Sequence, residues 1–114
     1  MRTVFHVSTV DQLSHADAKV TNLLADDTLD VRAVAVVVDD PAVIDAAADS
    51  DGHERVEAVL AAGDEAETTF RVCSNALRGA AATLNELPEG VEAASSGVGE
   101  LTRLQDDGWA YIRP

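Results

Sequence analysis

The segment from Val31 to Val38 is nearly continuous in apolar residues, and it constrains the fold more than any other feature of the sequence. Only Arg32 interrupts it, and Asp39-Asp40-Pro41 ends it. A strand that is apolar on both faces is typical of the centre of a parallel sheet, where helices cover both sides. The segment therefore predicts an α/β protein built around a central parallel strand.

Short β-like segments alternate with helical patterns along the rest of the chain. We predict further strands at 3–7, 68–73, 91–94 and 109–112, and helices at 11–25, 53–62, 75–84 and 97–105. The segment 49–52 is expected to break the chain, and Gly63 and Gly108 are expected to end the helices before them. Repeated strand-then-helix order predicts right-handed crossovers and a parallel sheet with helices on both faces. The length predicts one domain, residues 1–114.

The charge balance restricts the classes of partner. With 8 Lys and Arg against 21 Asp and Glu, the formal net charge is −13, so neither nucleic acid nor an anionic membrane surface is an expected partner. Lys19 is the only lysine, and carboxylates are spread along the whole chain, which is typical of proteins from a high-salt cytoplasm. No apolar run is long enough to span a membrane, and a single cysteine fits a reducing, cytoplasmic location.

Cys73 follows the strand at 68–73 and precedes a helix. Sites in open parallel sheets gather at the carboxyl ends of strands, and the positive end of a helix dipole favours a thiolate there. Ser74 and Asn75 are placed to add hydrogen bonds, and His6 in the first strand is placed to reach the same edge as a base or cation. The alternative is that Cys73 is a packed core thiol and His6 a satisfied buried histidine.

The segment from Ser95 to Gly99 is a second candidate, because two hydroxyls and two glycines before a helix can accept an anion. We expect Ser96 and Gly97 to contribute to such a loop, and we interpret Asp39 and Asp40 as a solvated acidic loop. The three histidines form no metal-ligand pattern, and no zinc, protease or hydrolase motif is present. No metal and no cofactor are expected.

Four segments together resemble the DsrE/DsrF-like proteins, in particular a small cytoplasmic branch. They are Val4–Val7, Lys19–Leu24, Phe70–Leu77 and the tail from Gly97 to Pro114. The resemblance implies a three-layer α/β/α fold with a five-stranded, largely parallel sheet, and homo-oligomers that are often trimers or hexamers. It also implies that a cysteine at a strand end carries sulfur as a persulfide, a position that Cys73 occupies here.

These observations lead to three hypotheses. The leading one is a sulfur-relay protein in which Cys73 accepts sulfur from a donor protein and passes it to an acceptor protein, with His6 supporting its thiolate. The second is a non-catalytic, homo-oligomeric module that binds a small ligand and has a structural cysteine. The third is a redox sensor. The candidate ligand-binding residues are Asn22, Ser74, Asn75, Ser96, Gly97 and Arg113.

The C-terminal tail carries three large apolar side chains, Trp109, Tyr111 and Ile112. This is too much apolar surface to leave on a terminal edge strand. We therefore expect the fold or a partner subunit to bury the tail.

Overall fold

The computed structural model describes all 114 residues, which form five strands and five α-helices. The strands are β1 (Arg2–Val7), β2 (Ala33–Val38), β3 (Glu67–Cys73), β4 (Val91–Ala94) and β5 (Ala110–Ile112). The helices are α1 (Val10–Ala25), α2 (Pro41–Ala48), α3 (Ser50–Ala61), α4 (Ser74–Gly79) and α5 (Gly97–Asp106), with a short 3-10 turn at Leu84–Glu86. None of the helices combines the length and apolar character needed to cross a bilayer.

The strands form one sheet in the order β4-β3-β2-β1-β5, and every neighbouring pair is parallel. The predicted α/β class with a five-stranded sheet is confirmed, and the sheet is parallel throughout. β2 lies at its centre and all six of its residues are buried, as the apolar run predicts. The register aligns His6 with Val37, and Val37 with Arg71.

Helices cover the two faces of the sheet unequally. One face carries the larger core, where Phe5, Val36 and Phe70 pack with residues of α1, α2, α3 and α4. On the other face, Val4, Ala35 and Val37 pack against two leucines of α5, Leu101 and Leu104. The result is a three-layer arrangement in which α5 is the only helix that contributes to the core of its face.

The predicted break at residues 49–52 is confirmed at Asp49 alone, which lies between α2 and α3, and is wrong for residues 50–52. Helix α3 begins at Ser50, directly after the residue that ends α2, and it includes Gly52. A Cβ at Gly52 would lie 1.9 Å from the backbone oxygen of Ala46 in α2. The glycine is thus present because two helices approach closely, not because the chain turns there.

The helix after Cys73 is shorter than predicted. Helix α4 ends at Gly79, and the following segment leaves the helix instead of continuing to Leu84. The carboxylate of Asp45 in α2 accepts hydrogen bonds from the backbone amides of Ala81 at 3.0 Å and Ala82 at 2.9 Å. The Ala81 and Ala82 amides therefore donate to a side chain of another helix, whereas in a continued α4 they would donate to backbone carbonyls of the preceding turn.

Smaller differences occur at other element ends. Helix α3 is followed by Ala62 as its C-cap, and Gly63 lacks the positive φ that a glycine cap adopts, so that prediction is wrong. Gly108 has φ +89° and follows α5, as predicted. In the tail, Trp109 packs against the smaller core, whereas Tyr111 and Ile112 each remain 39% exposed.

Candidate functional site

The carboxyl ends of β1, β2 and β3 meet at one edge of the sheet because the three strands are parallel and adjacent. Cys73 is the last residue of β3, and Asp39 directly follows β2. His6 is the penultimate residue of β1 and lies in register with Val37. The predicted candidates Cys73 and His6 therefore share the edge where α/β proteins usually carry their sites.

His6 is 8% exposed, and both of its ring nitrogens are engaged. Nδ1 lies 2.5 Å from Tyr111 Oη, and Nε2 lies 2.7 Å from Asp39 Oδ2. Ser8 Oγ approaches Nε2 at 3.0 Å. An ionised carboxylate can only accept, so we assign the neutral ring's proton to Nε2, which leaves Nδ1 to accept the phenol proton of Tyr111.

Cys73 is 6% exposed and belongs to the larger core. It is the N-cap residue of α4 and has no disulfide partner. His6 makes no hydrogen bond to it, because the His6 ring nitrogens bond to Asp39 and Tyr111 instead. The structure thus brings both residues to one edge without joining them directly.

Gly97 lies next to both Asp39 and Cys73 at this edge of the sheet. A Cβ at Gly97 would lie 2.9 Å from Asp39 Cβ and 3.3 Å from Cys73 Cβ. Helix α5 therefore begins directly against both residues, and any larger side chain at position 97 would push it away. The absence of a side chain brings the first turn of α5 next to the thiol-bearing residue.

Ser96 is the N-cap of α5, and its Oγ accepts a hydrogen bond from the Gly99 amide at 3.0 Å. The amides of the first helical turn have no intrahelical acceptor, so they carry the positive end of the helix dipole. Ser96 and Gly97 thus occupy the helix start that the sequence predicts, and this start faces Cys73.

The two residues after Cys73 have different surroundings. Ser74 is partly buried and lines a cleft of about 460 Å³ together with Leu77 and Leu84. Asn75 is exposed, and its Oδ1 accepts a hydrogen bond from Arg78 Nη1 at 2.5 Å. The amide of Asn75 therefore orders the first turn of α4.

Two of the predicted ligand-binding residues lie away from Cys73. Asn22 is exposed near the end of α1, which runs back from the carboxyl edge of the sheet and ends at the opposite edge. Arg113 is exposed, and its Nη1 lies 3.4 Å from Tyr111 Oη. Its positive charge is thus placed beside Tyr111, not beside Cys73.

The interpretation of Asp39 and Asp40 as a solvated acidic loop is wrong. Asp39 is bonded to His6, and Asp40 is the N-cap of α2, where its Oδ1 accepts from the Ala42 amide at 2.8 Å. An Asp followed by Pro at the first helical position is a recognisable helix start, so the role of Asp40 was visible in the sequence. The Asp39–His6 contact joins residues 33 positions apart, and no local pattern indicates it.

An ion pair between β3 and α5 holds α5 against this face of the sheet. Arg71 Nη1 lies 2.9 Å from Glu100 Oε1, with side chains 21% and 13% exposed. Arg103 contributes a second cation at 3.2 Å from Glu100 Oε2. The pair holds α5 close to Cys73, which follows Arg71 by two positions in β3.

The larger clefts lie elsewhere. One of about 520 Å³ opens at the amino-terminal edge of the sheet, between the ends of α1 and α3, and one of about 530 Å³ lies between α1, α2 and α3. No three His, Cys, Asp or Glu side chains converge as metal ligands. Neither of these two clefts is lined by the candidate residues at the carboxyl edge of the sheet.

Comparison with solved structures gives a match over the whole chain. MTH1491, a protein of unknown function from Methanobacterium thermoautotrophicum, is 36% identical, with a TM-score of 0.81 over 99% of this chain and 98% of that chain. The chain belongs to the MTH1491 family. Membership in the MTH1491 family agrees with the observed α/β fold and brings no assigned activity with it. No family model matches the chain, and no curated protein matches it either.

Proposed function

We propose that this protein is a DsrE/DsrF-like sulfur carrier in which the Cys73 thiolate accepts a sulfur atom and passes it to a partner protein. The observation that carries the proposal is the close contact of Gly97 with Cys73, which brings the start of α5 against the thiol-bearing residue. Cys73 also stands at the start of α4. The first turns of α4 and α5 therefore both lie next to the sulfur-bearing residue.

The transfer needs no metal or cofactor. The Cys73 thiolate attacks the outer sulfur of a sulfane donor, a new S–S bond forms at Cys73, and the donor's S–S bond breaks as its remainder leaves as a thiolate. A thiolate of the acceptor protein then attacks the outer sulfur of the persulfide and regenerates the Cys73 thiolate. A lone cysteine suits this exchange because a partner supplies the second thiol.

The surrounding residues have distinct parts in this proposal. Ser96 and Gly97 hold the start of α5 in place, and Asn75 orders the first turn of α4 through Arg78. His6 takes no part in the transfer, since its ring nitrogens bond to Tyr111 and Asp39 and not to the thiol. The exchange takes place in a reducing, high-salt cytoplasm, in a homo-oligomer of three or six subunits.

The burial of Cys73 favours a second candidate. A thiol that is 6% exposed and packed in the larger core has the usual surroundings of a structural cysteine. In that case the protein is a homo-oligomeric module that binds a small ligand, and Cys73 contributes only packing.

Intact-protein mass spectrometry after exposure of the folded protein to inorganic polysulfide in high salt separates the two candidates. A sulfur carrier gains the mass of one sulfur atom, and Cys73→Ser gains none. The matched reference is Cys73→Ser combined with Ala58→Cys, which moves the thiol to an exposed position on α3. Persulfidation of wild type at least as fast as that of the Ala58→Cys thiol supports the carrier. If wild type reacts only after unfolding, the thiol is structural and the proposal fails.

A further inference from the structure

Tyr111, His6 and Asp39 form a continuous hydrogen-bonded chain that sulfur transfer at Cys73 does not use. The phenol oxygen lies 2.5 Å from His6 Nδ1, and His6 Nε2 lies 2.7 Å from the Asp39 carboxylate. The imidazole is 8% exposed, whereas Tyr111 is 39% exposed. A buried base thus bonds to the hydroxyl of a partly exposed tyrosine, with a carboxylate on the far side of the base.

Tyr111, His6 and Asp39 are arranged like the nucleophile, the base and the orienting group of sites that activate a hydroxyl. Such sites place a hydroxyl within hydrogen-bond reach of an imidazole, which a third group orients from behind. Here the Asp39 carboxylate accepts a hydrogen bond from Nε2–H and so fixes the tautomer in which Nδ1 has a free lone pair for the phenol proton. Ser8 Oγ, 3.0 Å from Nε2, supports the same orientation of the ring.

A cation stands beside the oxygen that would react. Arg113 Nη1 lies 3.4 Å from Tyr111 Oη. A positive charge at this place stabilises the phenolate and the negative charge that develops on a carbonyl oxygen under attack. Tyr111 lies in β5, an edge strand of the sheet.

We propose that Tyr111 is a nucleophile for small activated acyl compounds, with His6 as its general base and Asp39 as the residue that positions His6. In the step, a lone pair of Oη forms a bond to the acyl carbon, and the bond from that carbon to its leaving group breaks. The leaving group departs with the bonding electrons. The phenol proton passes to His6 Nδ1 and then to the leaving group or to water, and no electron transfer occurs.

Acetylation of the folded protein by N-acetylimidazole tests the proposal. Tyr111 is the only tyrosine, so loss of phenol absorbance reports on it alone, and peptide mass mapping separates its acetyl group from those on Lys19 and Cys73. We expect folded wild type to react faster than the same protein unfolded in denaturant. We expect His6→Gln to slow the reaction by about 100-fold or more, in line with the usual contribution of a general base.

The control is His53→Gln, the same change at a partly buried histidine that bonds to Glu57 and lies outside the site. This variant should react as fast as wild type. Asp39→Asn tests the positioning role and should slow acetylation while His6 is still present. If His6→Gln does not fold, the acetylation rates of folded and unfolded wild type still test the proposal. Folded wild type that reacts no faster than the unfolded chain overturns the proposal, as does a folded His6→Gln with an unchanged rate.

Discussion

Arg71 in β3 and Glu100 in α5 form an ion pair at 2.9 Å in which neither side chain is more than about a fifth exposed. Glu100 also binds Arg103 one turn further along α5. The pair ties the helix whose first turn contacts Cys73 to the strand that ends at Cys73. The geometry of the candidate site thus depends on the ion pair between Arg71 and Glu100.

Removing one partner of this ion pair should lower the stability of the folded protein. We expect Glu100→Gln to lower the free energy of unfolding by about 1–3 kcal/mol, because Arg71 keeps a largely buried charge without its counterion. A double-mutant cycle with Arg71→Met, measured by urea unfolding, gives the coupling energy. The control is Asp30→Asn, whose partner Arg32 is 76% exposed and whose loss should cost less than about 0.5 kcal/mol. Equal effects for both changes would contradict the structural role of the Arg71 pair.

Gly97→Ala should loosen the candidate site. The new Cβ would lie 2.9 Å from Asp39 Cβ, so α5 has to move, and we expect a loss of about 1–3 kcal/mol in the free energy of unfolding. Labelling of the Cys73 thiol by iodoacetamide in the folded protein should become faster as the helix start moves away.

Val98→Ala is the control for this change, since Val98 is the next residue of the same turn and is 71% exposed. It should leave both the stability and the labelling rate close to those of wild type. Unchanged labelling of Gly97→Ala would show that α5 does not shield Cys73.

Gly52→Ala should be more damaging than an ordinary glycine replacement in a helix. Its Cβ would come 1.9 Å from the Ala46 oxygen, and backbone cannot yield as a side chain does. We expect a loss of about 2 kcal/mol or more in thermal or urea unfolding. The same change at Gly79 meets only the Pro41 ring, at 3.3 Å, and should lie within about 1 kcal/mol of wild type. Equal stabilities of the two variants would argue against a close contact between α2 and α3.

The pKa of Asp26 lies below its ordinary value of 3.8, because the Thr28 hydroxyl and then the Thr28 amide donate to its carboxylate. This stabilises the folded state above the pH of the unfolded pKa, and the contribution is lost as the pH falls through the lowered folded value. Thr28→Val should therefore raise the pKa of Asp26 in a carboxyl NMR titration and reduce stability at neutral pH.

Thr102→Val is the matched control for Thr28→Val, because the Thr102 hydroxyl donates to the Val98 carbonyl and not to a carboxylate. It should leave the titration of Asp26 unchanged. A normal Asp26 titration in wild type would remove the basis of this prediction.

Salt should stabilise the protein. A net charge of −13 on 114 residues produces self-repulsion in the folded state, which added salt screens. The melting temperature should rise by several degrees between about 0.1 M and about 1 M KCl, where the Debye length falls from about 10 Å to about 3 Å. Mannitol at equal osmolality serves as the uncharged control. A melting temperature that responds equally to both solutes would contradict an electrostatic cause.

Much of the fold follows from patterns that are local in the sequence. The apolar run of β2 predicts its central place, and the strand-then-helix order predicts the parallel sheet. The errors concern contacts between elements: Gly52 marks a close approach of two helices, and Asp45 captures amides 36 and 37 positions away. Such contacts depend on which elements become neighbours, and local propensity does not contain that information.

For the candidate site, the sequence by itself placed Cys73 at a strand end before a helix and Ser96 at the start of α5, because caps and strand ends are local features. Only the tertiary structure decided the partners of His6. Tyr111 is 105 positions from it and Asp39 is 33, and they meet at His6 because β5 and β2 flank β1 in the sheet. Strand order arises from the packing of the whole chain, so it selects hydrogen-bond partners that sequence spacing does not indicate.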